Sequence, residues 1–119
     1  MLPEKAYTVF VVDDDESVRK ALRRLLRANG FEVMTFGSAE DFLDSGQVQT
    51  GGCLVLDIKL SGMSGLDLFE KLASSGSNYP VIFITAHDNP QWREIAMGMG
   101  AAAYLRKPFD EQALCDAVN

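Results

Sequence analysis

The stretch Val9-Phe10-Val11-Val12-Asp13-Asp14-Asp15 decides how this chain reads. An unbroken apolar run of this kind is the pattern of a strand buried on both faces, as in a parallel sheet covered by helices. Its acidic tail then falls at the C-terminal edge of the sheet, where open parallel α/β sheets bind ligands. The arrangement recurs downstream. Asp57 follows Leu54-Val55-Leu56, Thr85 follows Val81-Ile82-Phe83-Ile84, and Lys107 follows Ala103-Tyr104-Leu105-Arg106. Three carboxylates, a hydroxyl and an ammonium gathered at one edge suit a divalent cation and a phosphoryl group.

Helical patterns separate these runs. Val18, Ala21, Leu22, Leu25 and Leu26 fall on one face of a helix over 16–29, and Gly30 stands where a C′ glycine ends it. Residues 31–36 alternate as a second, edge strand. Ser38 reads as the N-cap of a second helix that stops at Gly46. A third strand over 53–56 delivers Asp57, and a helix over 64–74 follows the glycine-bearing loop 59–64. Ser75-Gly76-Ser77-Asn78 marks a turn. Strand four covers 80–84. Asp88-Asn89-Pro90 reads as a cap with Pro at the first helical position, opening a helix that ends at Gly100. Strand five covers 102–105, and Asp110 caps a last helix ending at Asn119. Strand–helix repetition with short loops predicts a doubly wound parallel sheet with helices on both faces. With strand order 2-1-3-4-5, the carboxylates of strands one and three meet at a switch point.

Bulk properties agree. The chain has 119 residues, 47% hydrophobic and 24% charged, which is one domain able to bury a core. Its net charge of −6 opposes a sequence-independent grip on nucleic acid by this domain. Cys53 and Cys115 form no metal spacing and no secreted disulfide framework, so a reducing cytoplasm is expected. Residues 1–7 lack an apolar signal core, and no run reaches membrane-spanning length, so no membrane partner is expected.

Taken together, Val12-Asp13-Asp14, Leu56-Asp57, Gly62-Met63-Ser64-Gly65, Ile84-Thr85-Ala86, Gly100-Ala101 and Lys107-Pro108-Phe109 resemble a two-component response-regulator receiver domain. The resemblance covers essentially residues 1–119. His87 and the Lys107-Pro108-Phe109 motif are most similar to the FixJ/NarL type, whose output is usually a helix-turn-helix DNA-binding domain. It implies a flavodoxin-like (βα)5 fold with Asp57 as phosphoacceptor. Mg2+ is the implied cofactor, held by Asp14 and Asp57, by Asp13 through water, and by the backbone carbonyl of Lys59. Lys107, Thr85 and the Ala86 N–H are implied to serve the phosphoryl oxygens. Thr85 and Tyr104 are implied to switch the face made by the fourth helix, fifth strand and fifth helix. The implied partners are a sensor histidine kinase or phosphotransfer protein, with homodimerisation on phosphorylation. An output domain, expected to bind DNA and control transcription, is expected to lie outside this chain. A single-domain relay or phosphate sink is the variant of this reading.

Each residue also has a plainer reading. Asp15 reads as a helix cap or first-turn acid. Tyr104 reads equally as an ordinary strand aromatic. Arg19, Lys20, Arg23, Arg24 and Arg27 read as a solvated face, against docking of a kinase helix bundle. His87 reads as a surface loop histidine or a neighbour of a hydrolytic water, and Trp92 as core packing or part of a partner surface. The resemblance expects a proline four residues after Asp57, where this chain has Ser61; the rigidity of the loop is the property this touches. Repulsion among the three carboxylates is expected to raise at least one pKa and to make Mg2+ a stabiliser of the fold.

One enzyme reading competes. Asp13-Asp14-Asp15 contains Asp-x-Asp after an apolar strand, similar to haloacid-dehalogenase-type phosphatases with Asp13 as nucleophile. The chain lacks their later acidic motif and is short for a capped phosphatase. A cofactor-binding flavodoxin-like module is weaker still, since no Gly- or Ser/Thr-rich phosphate loop follows strand one. As a receiver, the chain is not an enzyme beyond its own phosphorylation and dephosphorylation.

Overall fold

A computed structural model describes residues 8–45, 52–76, 80–86, 89–107 and 110–118. Expectations at residues 1–7, Gly46, Ser77, Asn78, His87, Asp88, Pro108, Phe109 and Asn119 fall outside these. The elements alternate strictly: β1 (Thr8–Val12), α1 (Glu16–Ala28), β2 (Glu32–Phe36), α2 (Ala39–Asp44), β3 (Cys53–Asp57), α3 (Gly65–Ser74), β4 (Val81–Thr85), α4 (Pro90–Gly98), β5 (Ala103–Arg106) and α5 (Glu111–Val118). The strands form one sheet in the order β2-β1-β3-β4-β5, with all pairings parallel. This is the predicted flavodoxin-like order.

Strand periodicity divides the core in two. Phe10, Val12, Leu54, Leu56, Val81 and Phe83 point to one face, where Phe42 of α2, Leu68 and Leu72 of α3 and Ala96 of α4 cover them. Val9, Val11, Cys53, Val55, Ile82 and Ile84 point to the other, covered by Leu22 and Leu26 of α1 and Leu114 and Val118 of α5. The central strands are apolar apart from Thr8, Asp57 and Thr85 at their ends because both faces are covered. Each fully buried Leu, Ile or Phe contributes about 2 kcal/mol of transfer free energy.

Local signals set the helix ends. Asp15, Ser38, Ser64 and Asn89 each accept a hydrogen bond from a first-turn N–H. At the end of α1, Gly30 takes φ 92°, its N–H donates to the Arg27 carbonyl, and the Phe31 N–H donates to the Leu26 carbonyl. Two such bonds satisfy carbonyls that the helix end otherwise leaves bare. Gly100 and Ala101 repeat the motif after α4. β5 lies one residue later than its expected span, because Arg106 pairs with Thr85 in the β4 register. Asp57 and Thr85 likewise belong to their strands as the last residues rather than following them.

Candidate functional site

Strand alternation explains which side chains meet. Asp57 closes β3 in phase with Cys53 and Val55, and Asp13 and Lys107 continue β1 and β5 in phase with Val11 and Leu105. All three therefore lean toward the α1/α5 side of the sheet. There the Lys107 Nζ donates to Asp13 Oδ2 at 2.9 Å and to Asp57 Oδ2 at 3.3 Å. Thr85 is in the opposite phase, aligned with Phe83, and is fully buried. The next residue, Ala86, reaches the edge. With Asp13, Asp14, Asp15, Asp57, Lys59 and Lys107 it lines one open cleft. The structure thus brings together six of the predicted site residues, with Asp15 as an addition, and holds Thr85 and Tyr104 behind them. Tyr104 is half-buried and packs against the core cluster on the α2/α3/α4 side.

Each carboxylate is oriented by its own donors. Asp13 Oδ1 accepts from the Asp15 N–H at 2.9 Å, and Asp57 Oδ1 from the Lys59 N–H at 3.1 Å. Asp14 is exposed, and its Oδ2 accepts from both the N–H and the Oγ of Ser61, at 3.3 and 3.2 Å. The Arg19 guanidinium donates to the Asp13 carbonyl at 2.7 Å, fixing the end of β1 from α1. Of the basic residues on α1, Arg19 is thereby turned inward, whereas Lys20, Arg23, Arg24 and Arg27 are exposed as the solvated-face reading expects. Trp92 is half-buried against the core.

Burial pushes the Asp57 carboxyl from 3.8 to about 6, and the neighbouring Asp13 charge adds to the rise. The Lys107 charge and the Lys59 N–H pull the other way without cancelling it. Repulsion, the cause expected from the sequence, is thus second to desolvation. For Lys107, burial disfavours the ammonium, yet the hydrogen bond to Asp13 and the charges of Asp57 and Asp13 hold its pKa above the ordinary lysine value.

A hard divalent cation fits these residues. One oxygen each from Asp13, Asp14 and Asp57 lies within 4.8 Å of the others. The cleft gathers three carboxylates, of which Lys107 pairs with Asp13 and Asp57, and a dication would offset the remaining negative charge; an all-oxygen donor set is what Mg2+ prefers.

Nothing in the sequence pattern pointed to the contacts made by Ser61 and Arg19, nor to Glu40, whose Oε2 accepts from the Met63 N–H at 3.0 Å. The capping role of Asp15 was readable, since its donor, the Ser17 N–H, lies two residues away.

Comparison with known proteins agrees with this geometry. The profile of the response regulator receiver domain matches residues 9–119. The transcriptional regulatory protein TdiR of Thauera aromatica is 46% identical over 114 residues, covering 96% of this chain and 50% of TdiR. The chain therefore spans about half the length of that relative. The solved response regulator StyR superposes with a TM-score of 0.89 at 51% identity, covering 96% of this chain and 58% of that one. The solved FixJ-N superposes with a TM-score of 0.87 at 38% identity, covering 96% and 91%. On its sequence, its sheet order and its edge cleft, the chain belongs to the response regulator receiver domain family.

Proposed function

We propose that this receiver accepts a phosphoryl group on Asp57 and that the acyl phosphate resets the face formed by α4, β5 and α5. The observation that carries the proposal is the Asp57 carboxylate at the cleft edge, 3.3 Å from the Lys107 ammonium and grouped with Asp13 and Asp14. An Asp57 oxygen attacks the phosphorus of a phosphohistidine or a small acyl phosphate. The new P–O bond forms as the P–N or P–O bond to the donor breaks, and the imidazole or carboxylate leaves with its electron pair. A pKa of about 6 leaves Asp57 ionised at neutral pH, yet more basic than an ordinary carboxylate.

Asp13, Asp14, Asp57 and the Lys59 carbonyl would hold Mg2+, which when bound offsets the charge spreading over the phosphoryl oxygens. Lys107 offers those oxygens a point charge, and the Ala86 N–H and Thr85 Oγ offer hydrogen bonds. Thr85 and Tyr104 project to the same side of the sheet, since Thr85 is in phase with Phe83, the β4 partner of Tyr104. That placement supports their coupling: Thr85 moves toward the phosphoryl group and Tyr104 moves into the space it leaves.

The phosphodonor would be a histidine kinase or phosphotransfer protein, and the setting would be the cytoplasm. Phosphorylation would favour a homodimer. The output would be a DNA-binding domain beyond residues 1–119, because TdiR is a transcriptional regulatory protein about twice the length of this chain. Among the described residues no helix is long and apolar enough to cross a membrane. The domain would turn over no substrate other than its own phosphoryl group.

Intact mass after incubation with acetyl phosphate tests the chemistry. The expected result is one Mg2+-dependent phosphoryl adduct, absent in Asp57→Asn. An adduct that survives Asp57→Asn but is lost in Asp13→Asn would overturn the assignment in favour of the phosphatase-like reading.

A further inference from the structure

The three carboxylates of the cleft are not held alike. Asp13 and Asp57 are buried, and each is fixed by a neighbouring backbone N–H and by Lys107. Asp14 is exposed. Its orientation comes from Ser61, 47 positions away, through two donors converging on Oδ2. Ser61 sits on the loop between β3 and α3, and that loop is anchored on its far side by Glu40, which accepts the Met63 N–H at 3.0 Å. The donors are therefore carried by backbone fixed at both ends.

We infer that Ser61 is the positioning residue for Asp14 in cation binding, an inference that rests on the metal reading above. An exposed aspartate samples several rotamers and loses that freedom when it binds a cation. Ser61 removes the freedom beforehand. Both of its bonds fall on Oδ2, and a carboxylate has two lone pairs on each oxygen, so Oδ1 stays open to a cation. The same bonds tie Asp14, after β1, to the loop that carries the Lys59 carbonyl, after β3. They thereby fix the separation of two cation ligands supplied by different strands. A proline at 61 could supply neither bond, having no N–H and no hydroxyl.

Isothermal titration of the chain with Mg2+ tests this, using the wild type, Ser61→Ala and Ser61→Thr, with the melting temperature of each cation-free protein as the structural control. Ser61→Ala loses the hydroxyl donor but keeps the N–H, and is expected to weaken Mg2+ binding by roughly three- to tenfold, below the roughly ten- to hundredfold typical of removing a whole orienting partner. Its cation-free melting temperature stays at the wild-type value, and Ser61→Thr restores the affinity. Equal or tighter binding by Ser61→Ala would overturn the inference, because Ser61 would then be idle or in competition with the cation. A fall in affinity matched by a fall in cation-free melting temperature would also overturn it, reducing Ser61 to a loop brace. A wild type that binds no Mg2+ would sink the metal reading, and this inference with it.

Discussion

At the scale of single residues, burial of the Asp57 carboxyl costs stability at neutral pH. Its folded pKa of about 6 lies above the ordinary 3.8, chiefly through burial. Between those values the folded chain holds the proton more firmly than the unfolded chain does. The stabilisation is full below about pH 4, is lost as pH rises through about 6, and is absent at neutral pH. A gap of this size corresponds to a cost on the order of 3 kcal/mol at pH 7.5. Asp57→Asn removes the buried charge while Lys107 keeps its bond to Asp13 at 2.9 Å. We expect Mg2+-free Asp57→Asn to melt several degrees above the wild type at pH 7.5, and the difference to shrink toward pH 4. Melting curves at the two pH values check this. A difference independent of pH would mean that the substituted amide stabilises by packing and not by relief of a buried charge.

At the scale of elements, the cleft depends on how closely α3 approaches β3. The Gly65 N–H donates to the Ile58 carbonyl at 2.8 Å, and a Cβ at Gly65 would overlap the Asp57 carbonyl and lie 2.9 Å from the Ile58 Cα. Those contacts are backbone and cannot swing aside, so Gly65→Ala must displace α3 or the end of β3. We expect a loss of about 2 to 4 kcal/mol in urea unfolding, together with slower phosphorylation of Asp57. Ser64→Ala, which removes only the cap bonded to the Asp67 N–H, should cost about 1 kcal/mol and leave phosphorylation alone. Comparable stabilities for the two variants would contradict the close-approach argument. Much at this scale was legible in the sequence. Caps at Ser38 and Asn89 act on N–H groups two or three residues away, and the apolar runs of β1, β3 and β4 have few other uses. What escaped is contact across sequence distance. Ser61 meets Asp14 over 47 positions and Met63 meets Glu40 over 23, and no local pattern encodes either. The end of β5 escaped for a related reason, since it is set by pairing with β4 rather than by its own residues.

At the scale of the whole molecule, the cleft draws the ends of β1, β3 and β5 together. Lys107 reaches across 94 positions to Asp13 and 50 to Asp57, and in the cation-free chain it supplies the positive charge between them. A bound Mg2+ would join two of these strands, β1 and β3, through Asp13, Asp14, Asp57 and the Lys59 carbonyl, and the unfolded chain cannot gather those ligands. Stability should therefore rise with the logarithm of Mg2+ concentration, by about 2.7 kcal/mol at a hundredfold excess over the dissociation constant. Bound there, Mg2+ would share with Lys107 the task of offsetting Asp13 and Asp57, and this fixes the sign of a further effect. Lys107→Ala leaves Asp13 and Asp57 without their ammonium, which should lower cation-free stability by on the order of 2 kcal/mol. It also removes a positive charge that repels the incoming metal. Mg2+ should then raise the melting temperature of Lys107→Ala more than that of the wild type, with sodium chloride of equal ionic strength as the control. If Lys107→Ala instead gains less from Mg2+, the lysine assists cation binding rather than sharing its role, and the charge balance argued for the cleft is wrong.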